Sequence, residues 1–483
     1  MLRLSKENLP ENIDRFTYDR DRVTAGIVHF GVGNFHRAHQ AVYCDDLLGK
    51  GATQWGITGV SLRSSAMQEA LKPQDYLYTL ATLGEETHYR IIGSLKDLLV
   101  APQDPQSVIN VIAEPTTQIV SSTITEKGYC LTSGKVDFTH PDLNAELSSL
   151  EQPRTIYGYL ARALIARSQN KNQPSKLTIM CCDNISAGGE ILEEGVHHLL
   201  QRHNEQALRW VRINVTFISS MVDRVCPSTS DELRESVSDK TKCLDAWPVS
   251  AEPFRQWVIE DNFAGMKPDF ELVGATFVDD IAPFEQMKLQ YLNAAHSIIS
   301  ALGYLYGDEF VHETLQRTEV FDFVQQALQK NIAPNAAVPA GCDSEEYTED
   351  VINRFQNQNL PYANLQVGTD SSQKIQQRWY PTIDEAMRKT SDNSCMEFCL
   401  AAWVVFIQRA LANDDLKDPN KDKLIAVSTD DAALLVKSYL SIANAEKFTF
   451  FSKSDFLIAV THYVENIYAN GIEKTLIDFL SES

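Results

Sequence analysis

The first half of this chain alternates β-rich runs with helical ones, and that alternation restricts the fold more than any other feature. GIVHFGVG, WGITGVSL, TQIVSSTI, KLTIMCCDN and NVTFISSMVD are apolar and rich in β-branched residues. Each ends in small or polar residues, as strands covered on both faces do. Between them lie amphipathic stretches such as FHRAHQAVYCDDLLGK and ILEEGVHHLLQRHNEQALRWV. Short strands returning through helices predict a doubly wound parallel sheet. After about Asp280 the pattern becomes helical, with HETLQRTEVFDFVQQALQK, MEFCLAAWVVFIQRALA and AALLVKSYLSIANAEK. At 483 residues the chain exceeds one ordinary core, so two domains are expected. The reading is α/β: a doubly wound domain over residues 1–280 and a mostly α-helical substrate-binding domain over 281–483. NIAPNAAVPAGCDSEEYTED reads as a loop inside the second domain.

The chain carries 43 Lys and Arg against 65 Asp and Glu, a net charge of −22. That charge argues against nucleic acid or an anionic membrane as partner. The nine cysteines are scattered with no CxxC pair, and no HExxH run occurs, so no zinc ligand signature is present. The start lacks the apolar segment of a signal peptide, and no apolar run is read as reaching the ~18 residues of a membrane span. A cytoplasmic protein with free thiols is expected.

GVGNFH, residues 31 to 36, follows the first strand and opens a helix. Gly31 and Gly33 fill the first two positions of GxGxxG, a tight turn followed by close approach of backbone to pyrophosphate. His36 stands at the third, so helix and strand must separate slightly there. Arg37 reads either as part of a phosphate site or as a surface residue. The acid expected after the second strand for the ribose hydroxyl is missing. SLRSSAM offers Arg63 instead, and Asp45 and Asp46 fall in the intervening helix. NAD is the expected cofactor, with NADP open.

In the second half, FEQMKLQYLNAAHSIISALGYL has apolar residues at helical spacing and three polar ones: Lys288, Asn293 and His296. At about 100° per residue, Asn293 lies about 140° and His296 about 80° round the helix from Lys288. A base, an oxygen-binding amide and an orienting imidazole suit proton removal from an alcohol. Spacing alone leaves a helix with a wet polar edge equally open.

The motifs GVGNFHRAHQ, TITEKGYC, CDN, MVDR, EPFRQWVIED and K-x4-N-x2-H occur in that order over almost the whole chain. Together they resemble the polyol-specific long-chain dehydrogenases, the mannitol dehydrogenase family. FVHETLQ and NGIEKTLIDFL are most similar to its mannitol 2-dehydrogenase branch, and EPFRQWVIEDNF is equally similar to the fructuronate reductase (mannonate oxidoreductase) branch. The resemblance implies a Rossmann-type domain, a helical C-terminal domain and metal-independent hydride transfer with NAD(P). It implies Lys288 as general base, Asn184 and Asn293 as binders of the reacting oxygen, and His296 as orienter of substrate hydroxyls. Gly31, Gly33, Asn34 and Phe35 of the glycine turn, with Arg63 and Asp223, form the expected cofactor set. Lys374 of DSSQK is the expected substrate lysine, and Glu285 and Glu126 are carboxylates of a proton path. For Asp223, Glu285 and Glu126, a salt-bridged or capping carboxylate is the competing reading.

Four departures from the family pattern bear on the substrate: NAAH for NGSH, CDNISAGG with Gly188 for a second asparagine, DSSQK for DGSxK, and Gln366 for an arginine. The leading reading is a dehydrogenase interconverting a polyol and a ketose, of the mannitol and fructose type. The second is a reductase of a keto-hexonate such as fructuronate, which would want an additional cation for the carboxylate. The third, from another class, is a non-catalytic dinucleotide-binding sensor, and Lys288, both asparagines and His296 count against it. There is no Tyr-x-x-x-Lys for a short-chain mechanism. A monomer or weak homo-oligomer is expected.

Overall fold

The computed structural model describes residues 1–132, 134–170 and 176–482. The chain divides into two compact units, Met1–Ala282 and Pro283–Ser483.

The first unit is built on an eight-stranded sheet of β1 (Ile27–Phe30), β2 (Ile57–Ser61), β3 (Leu95–Val100), β4 (Ile119–Ser122), β5 (Leu177–Cys181), β6 (Val215–Asp223), β7 (Gln256–Glu260) and β8 (Thr276–Val278). Their order is β8-β7-β6-β5-β4-β1-β2-β3. The first six strands are mutually parallel in the order 3-2-1-4-5-6, the doubly wound arrangement of dinucleotide-binding sheets. Within this sheet, among the described residues, only β6 and β7 pair antiparallel. Every residue of β1, β4 and β5 is buried, which is why these runs read as unbroken apolar stretches. The chain leaves β1 toward β2 and β3, then returns to β4 on the other side of β1. The crevice at the carboxyl ends of β1 and β4 is therefore the switch point, where such sheets take their ligands.

Several elements differ from expectation. LKDLLV forms β3, although its charged residues hid it, and β7 and β8 extend the sheet beyond the five anticipated strands. A second sheet of Asp14–Arg15, Tyr78–Leu83, Thr87–Ile92 and Val249–Ala251 was not anticipated. The helix after β1 breaks in two, α1 (Asn34–Ala38) and α2 (Gln40–Gly49), where His39 leaves helical geometry at φ −122 and ψ −90. Asp45 and Asp46 of α2 fasten the second sheet. Asp45 accepts from the Tyr18 hydroxyl and the Gly93 backbone and pairs with Arg90. Asp46 bridges Arg90 and Arg255 at 2.6 and 2.7 Å. After β5 the chain forms α3 (Gly188–His203).

The second unit is helical. It opens with α4 (Ala282–Lys288), a π-wound turn over Leu289–Asn293, and α5 (Ala294–Tyr306). The stretch expected as a loop gives way to α6 (Ser344–Phe355), because the Asp343 side chain caps the amides of Glu345 and Glu346. Further on lie α7 (Ser371–Arg378) and α8 (Ser394–Ala412). Contrary to the sequence reading, α8 is long and apolar enough to cross a membrane by length and composition, but most of it is buried inside this unit. Its Phe398, Leu400, Trp403 and Val404 sit at the centre of the second hydrophobic core, so α8 is a core helix.

Candidate active site

The carboxyl edge of the parallel sheet gathers the first group of candidates. Gly31 follows β1 with φ +94, a conformation that favours glycine, and its N–H donates to Val60 O. A Cβ at Gly31 would sit 2.0 Å from Thr123 O. The Thr123 hydroxyl donates to Gly31 O at 2.8 Å and meets His29 Nε2 at 2.9 Å. That hydroxyl has a single proton, so His29 must donate from Nε2. Burial pushes the His29 imidazole down to about 3, which keeps it neutral. Gly33 is different: it is exposed, and a Cβ there would meet nothing within 4 Å. The turn thus has one glycine required by the fold and one that leaves room for a ligand against the backbone.

Asn34 is half-buried, and its side chain is engaged within the protein. It donates toward Thr229 Oγ1 and Pro227 O and accepts from Arg37. Phe35 stacks on His39 at 5.0 Å. His36, in place of the third glycine, is fully buried and stacks on His29 of β1 at 3.5 Å, so an imidazole fills the space between helix and strand. Arg37 is not a surface residue. It is fully buried, and its guanidinium binds Trp247 O and Asn34 Oδ1. Arg63 lies exposed two residues past β2, and Asp223 is the buried last residue of β6.

Asn184 and Glu126 follow the neighbouring parallel strands β5 and β4, and both are exposed. Asp183 ties these two loops together, a role the sequence reading missed. Its carboxylate accepts from the amides of Ile124 and Thr125 and from the Tyr129 hydroxyl, at 2.7, 3.2 and 2.7 Å. The clamp holds Thr125 at φ 63 and ψ 159, a strained region for a β-branched residue. The substituted Gly188 also has a packing reason, because a Cβ there would lie 2.4 Å from Cys181 Sγ.

In the second unit, Lys288 is 8% exposed and His296 7%, and Asn293 is half-buried. The π winding of Leu289–Asn293 alters their relation. In a π turn positions i and i+5 are neighbours, so Lys288 and Asn293 approach one face more closely than α spacing allows. Such single wide turns occur frequently at functional sites. His296 packs against Phe355 at 4.3 Å and edge-on to Tyr362 at 5.3 Å. Glu285 is half-buried one turn before Lys288, on the same face of α4. Lys374 of α7 lies 3.5 Å from Val367 O. Burial, aided by the nearby Arg378 charge, lowers its amine to about 8.

The sequence profile of the mannitol dehydrogenase Rossmann domain matches residues 25–272, and that of the mannitol dehydrogenase C-terminal domain matches residues 280–468. The chain belongs to the mannitol dehydrogenase family. It is 34% identical to D-mannonate oxidoreductase of Escherichia coli K12, across 98% of this chain and 99% of that one. It is 36% identical to mannitol 2-dehydrogenase of Aspergillus fumigatus, across 96% and 95%. Among solved structures, Pseudomonas fluorescens mannitol 2-dehydrogenase in complex with NAD and D-mannitol matches with a TM-score of 0.85. That match has 32% identity and covers both chains completely. Within the mannitol dehydrogenase family, the Rossmann-type sheet followed by a helical domain is thus the architecture of the whole chain.

Proposed function

We propose that this protein is a metal-independent, NAD(P)-dependent oxidoreductase that interconverts a polyol and a ketose, of the D-mannitol and D-fructose type. The observation that carries the reading is the buried Lys288 at the entry to a π turn that ends on Asn293, which lies one helical turn before His296. An amine, an amide and an imidazole brought together on one helical stretch suit proton removal from an alcohol. In the oxidative direction Lys288 takes the hydroxyl proton, Asn293 and Asn184 donate to the reacting oxygen, and His296 orients the neighbouring hydroxyls. Glu285, and Glu126 in the first unit, are assigned to proton passage, and Lys374 to a substrate hydroxyl.

The residues of the glycine turn fit a dinucleotide. Gly33 leaves open space for a pyrophosphate, Gly31 shapes the turn, and Phe35, Asp223 and Arg63 complete the set. The nicotinamide, when bound, supplies the hydride acceptor. Asn34 contributes to that set through its backbone, since its amide side chain is engaged. Arg63 without a following acid supports tolerance of the NADP phosphate. The Pseudomonas enzyme's complex with NAD and D-mannitol supports NAD and a polyol for this chain as well.

The second reading, a reductase of a keto-hexonate, is favoured by the likeness to D-mannonate oxidoreductase over nearly the full length. One panel separates the two. Mannitol, arabinitol, sorbitol and mannonate are offered with NAD and with NADP, and reduced cofactor is followed by absorbance. A polyol as the strongest substrate supports the proposal. Strong turnover of mannonate alone would replace it with the hexonate reading, and no turnover at all would leave the dinucleotide sensor. Cytoplasmic location and a monomeric or weakly associating state are part of the same proposal.

A further inference from the structure

The π turn that carries Asn293 is held from outside its own helix. At the end of α7, Arg378 Nη1 donates to Asn293 O at 3.1 Å and to Ser297 Oγ at 2.7 Å. The next residue, Trp379, donates from its indole nitrogen to Ala294 O at 3.1 Å. Two adjacent side chains therefore grip the two carbonyls where π winding passes back to α winding. Arg378 makes this grip at a cost. Its Nε is buried without a hydrogen-bond partner, and burial lowers the guanidinium to about 10. A buried cation held in this way is expensive, and a π turn is a local distortion that needs outside support. Lys374 lies one turn before Arg378 on α7, so the same side chain also bears on the lysine assigned to substrate.

We propose that Arg378, seconded by Trp379, is a positioning residue that fixes the wide turn so that the Asn293 amide is aimed at the reacting oxygen. The inference rests on the roles assigned to Lys288 and Asn293 above. It adds a requirement outside the catalytic helix: the register of Asn293 is set by α7, not by the sequence of its own helix alone. Without the grip, the junction is free to return to ordinary α winding, which rotates Asn293 away from Lys288.

The test uses whichever substrate the wild-type protein turns over best, so its failure is separate from failure of the functional reading. Arg378→Ala is expected to lower kcat by about a hundredfold, the scale of losing one aimed oxygen-binding donor. NADH affinity, read by fluorescence, should stay within about twofold, with the loss falling on kcat rather than on KM. Added guanidinium should restore much of the lost rate. A purely structural role would instead lower NADH binding together with rate and show no rescue, and that result overturns the proposal. So does a kcat close to wild type. Where Arg378→Ala does not give folded protein, Trp379→Phe decides. A fall in kcat of about tenfold at unchanged NADH affinity supports the proposal, and wild-type kcat in that variant refutes it.

Discussion

The two glycines of the cofactor turn give a sharp test, because the structure separates what each is for. Gly31 has φ +94, and a Cβ there would lie 2.0 Å from Thr123 O and 2.7 Å from its carbonyl carbon. Gly31→Ala must bear a left-handed residue, about 1–2 kcal/mol, and the overpacking of a methyl against backbone, about 1–3 kcal/mol. In a unit of this size each kcal/mol moves the melting temperature by roughly 2–4 °C. A fall of about 4–20 °C is therefore expected on those scales. Gly33 sits at φ −83 and ψ −173, extended backbone open to any residue, and its Cβ would meet nothing. Gly33→Ala should leave the free protein as stable as wild type, or raise stability by about 0.4–1 kcal/mol through the unfolded chain. The same methyl occupies the space assigned to the pyrophosphate, so NADH should bind at least about tenfold more weakly, ~1.4 kcal/mol. Thermal melts without ligand and NADH titration by fluorescence read the two effects apart. Wild-type NADH binding by Gly33→Ala, or a loss of stability in the free protein as large as that of Gly31→Ala, would refute this division of roles.

Three further outcomes are expected. Lys374 is lowered from 10.5 to about 8, so between these values the folded state binds fewer protons than the unfolded one. Stability contributed through this residue therefore rises as pH climbs from about 8 toward 10.5. Lys374→Met should flatten that rise in denaturant melts, and an unchanged slope would count against the shift. Asp183→Ala removes the acceptor of two amides and the Tyr129 hydroxyl and should cost about 3 kcal/mol, read as a lowered urea midpoint. A midpoint equal to wild type would show that the loop clamp is unimportant. Arg63→Ala should raise the KM for NADP while leaving that for NAD nearly unchanged, and a large NAD preference in the wild type would contradict the assignment.

The parallel core of the first unit was legible because strands buried on both faces leave continuous apolar runs, as IVHF and LTIMC do. LKDLLV and THYRII escaped notice because they lie toward sheet edges, where partly exposed positions carry charge. The glycine turn was legible as a motif, but the fate of Arg37 was not. Only tertiary packing decides whether a helix-start arginine faces solvent or, as here, lies buried against Trp247. Spacing places Lys288, Asn293 and His296 on one helical stretch at α angles, and the π winding of Leu289–Asn293 changes the angle between the first two. The π turn is stabilised by Arg378 and Trp379, roughly 85 residues away in sequence, and no local pattern announces it. Asp183 was hidden for a similar reason. CDN drew attention to its asparagine, while the aspartate acts through amides on a different loop.

The most direct test of the central claim is Lys288→Ala, measured on the substrate the wild-type protein oxidises best. NADH titration and the melting temperature establish that the variant is folded and binds cofactor, and initial rates give turnover. Proton removal by Lys288 predicts nearly unchanged NADH affinity with kcat lower by several powers of ten. A variant that binds NADH normally and keeps wild-type turnover would contradict the account, because the base would then lie elsewhere.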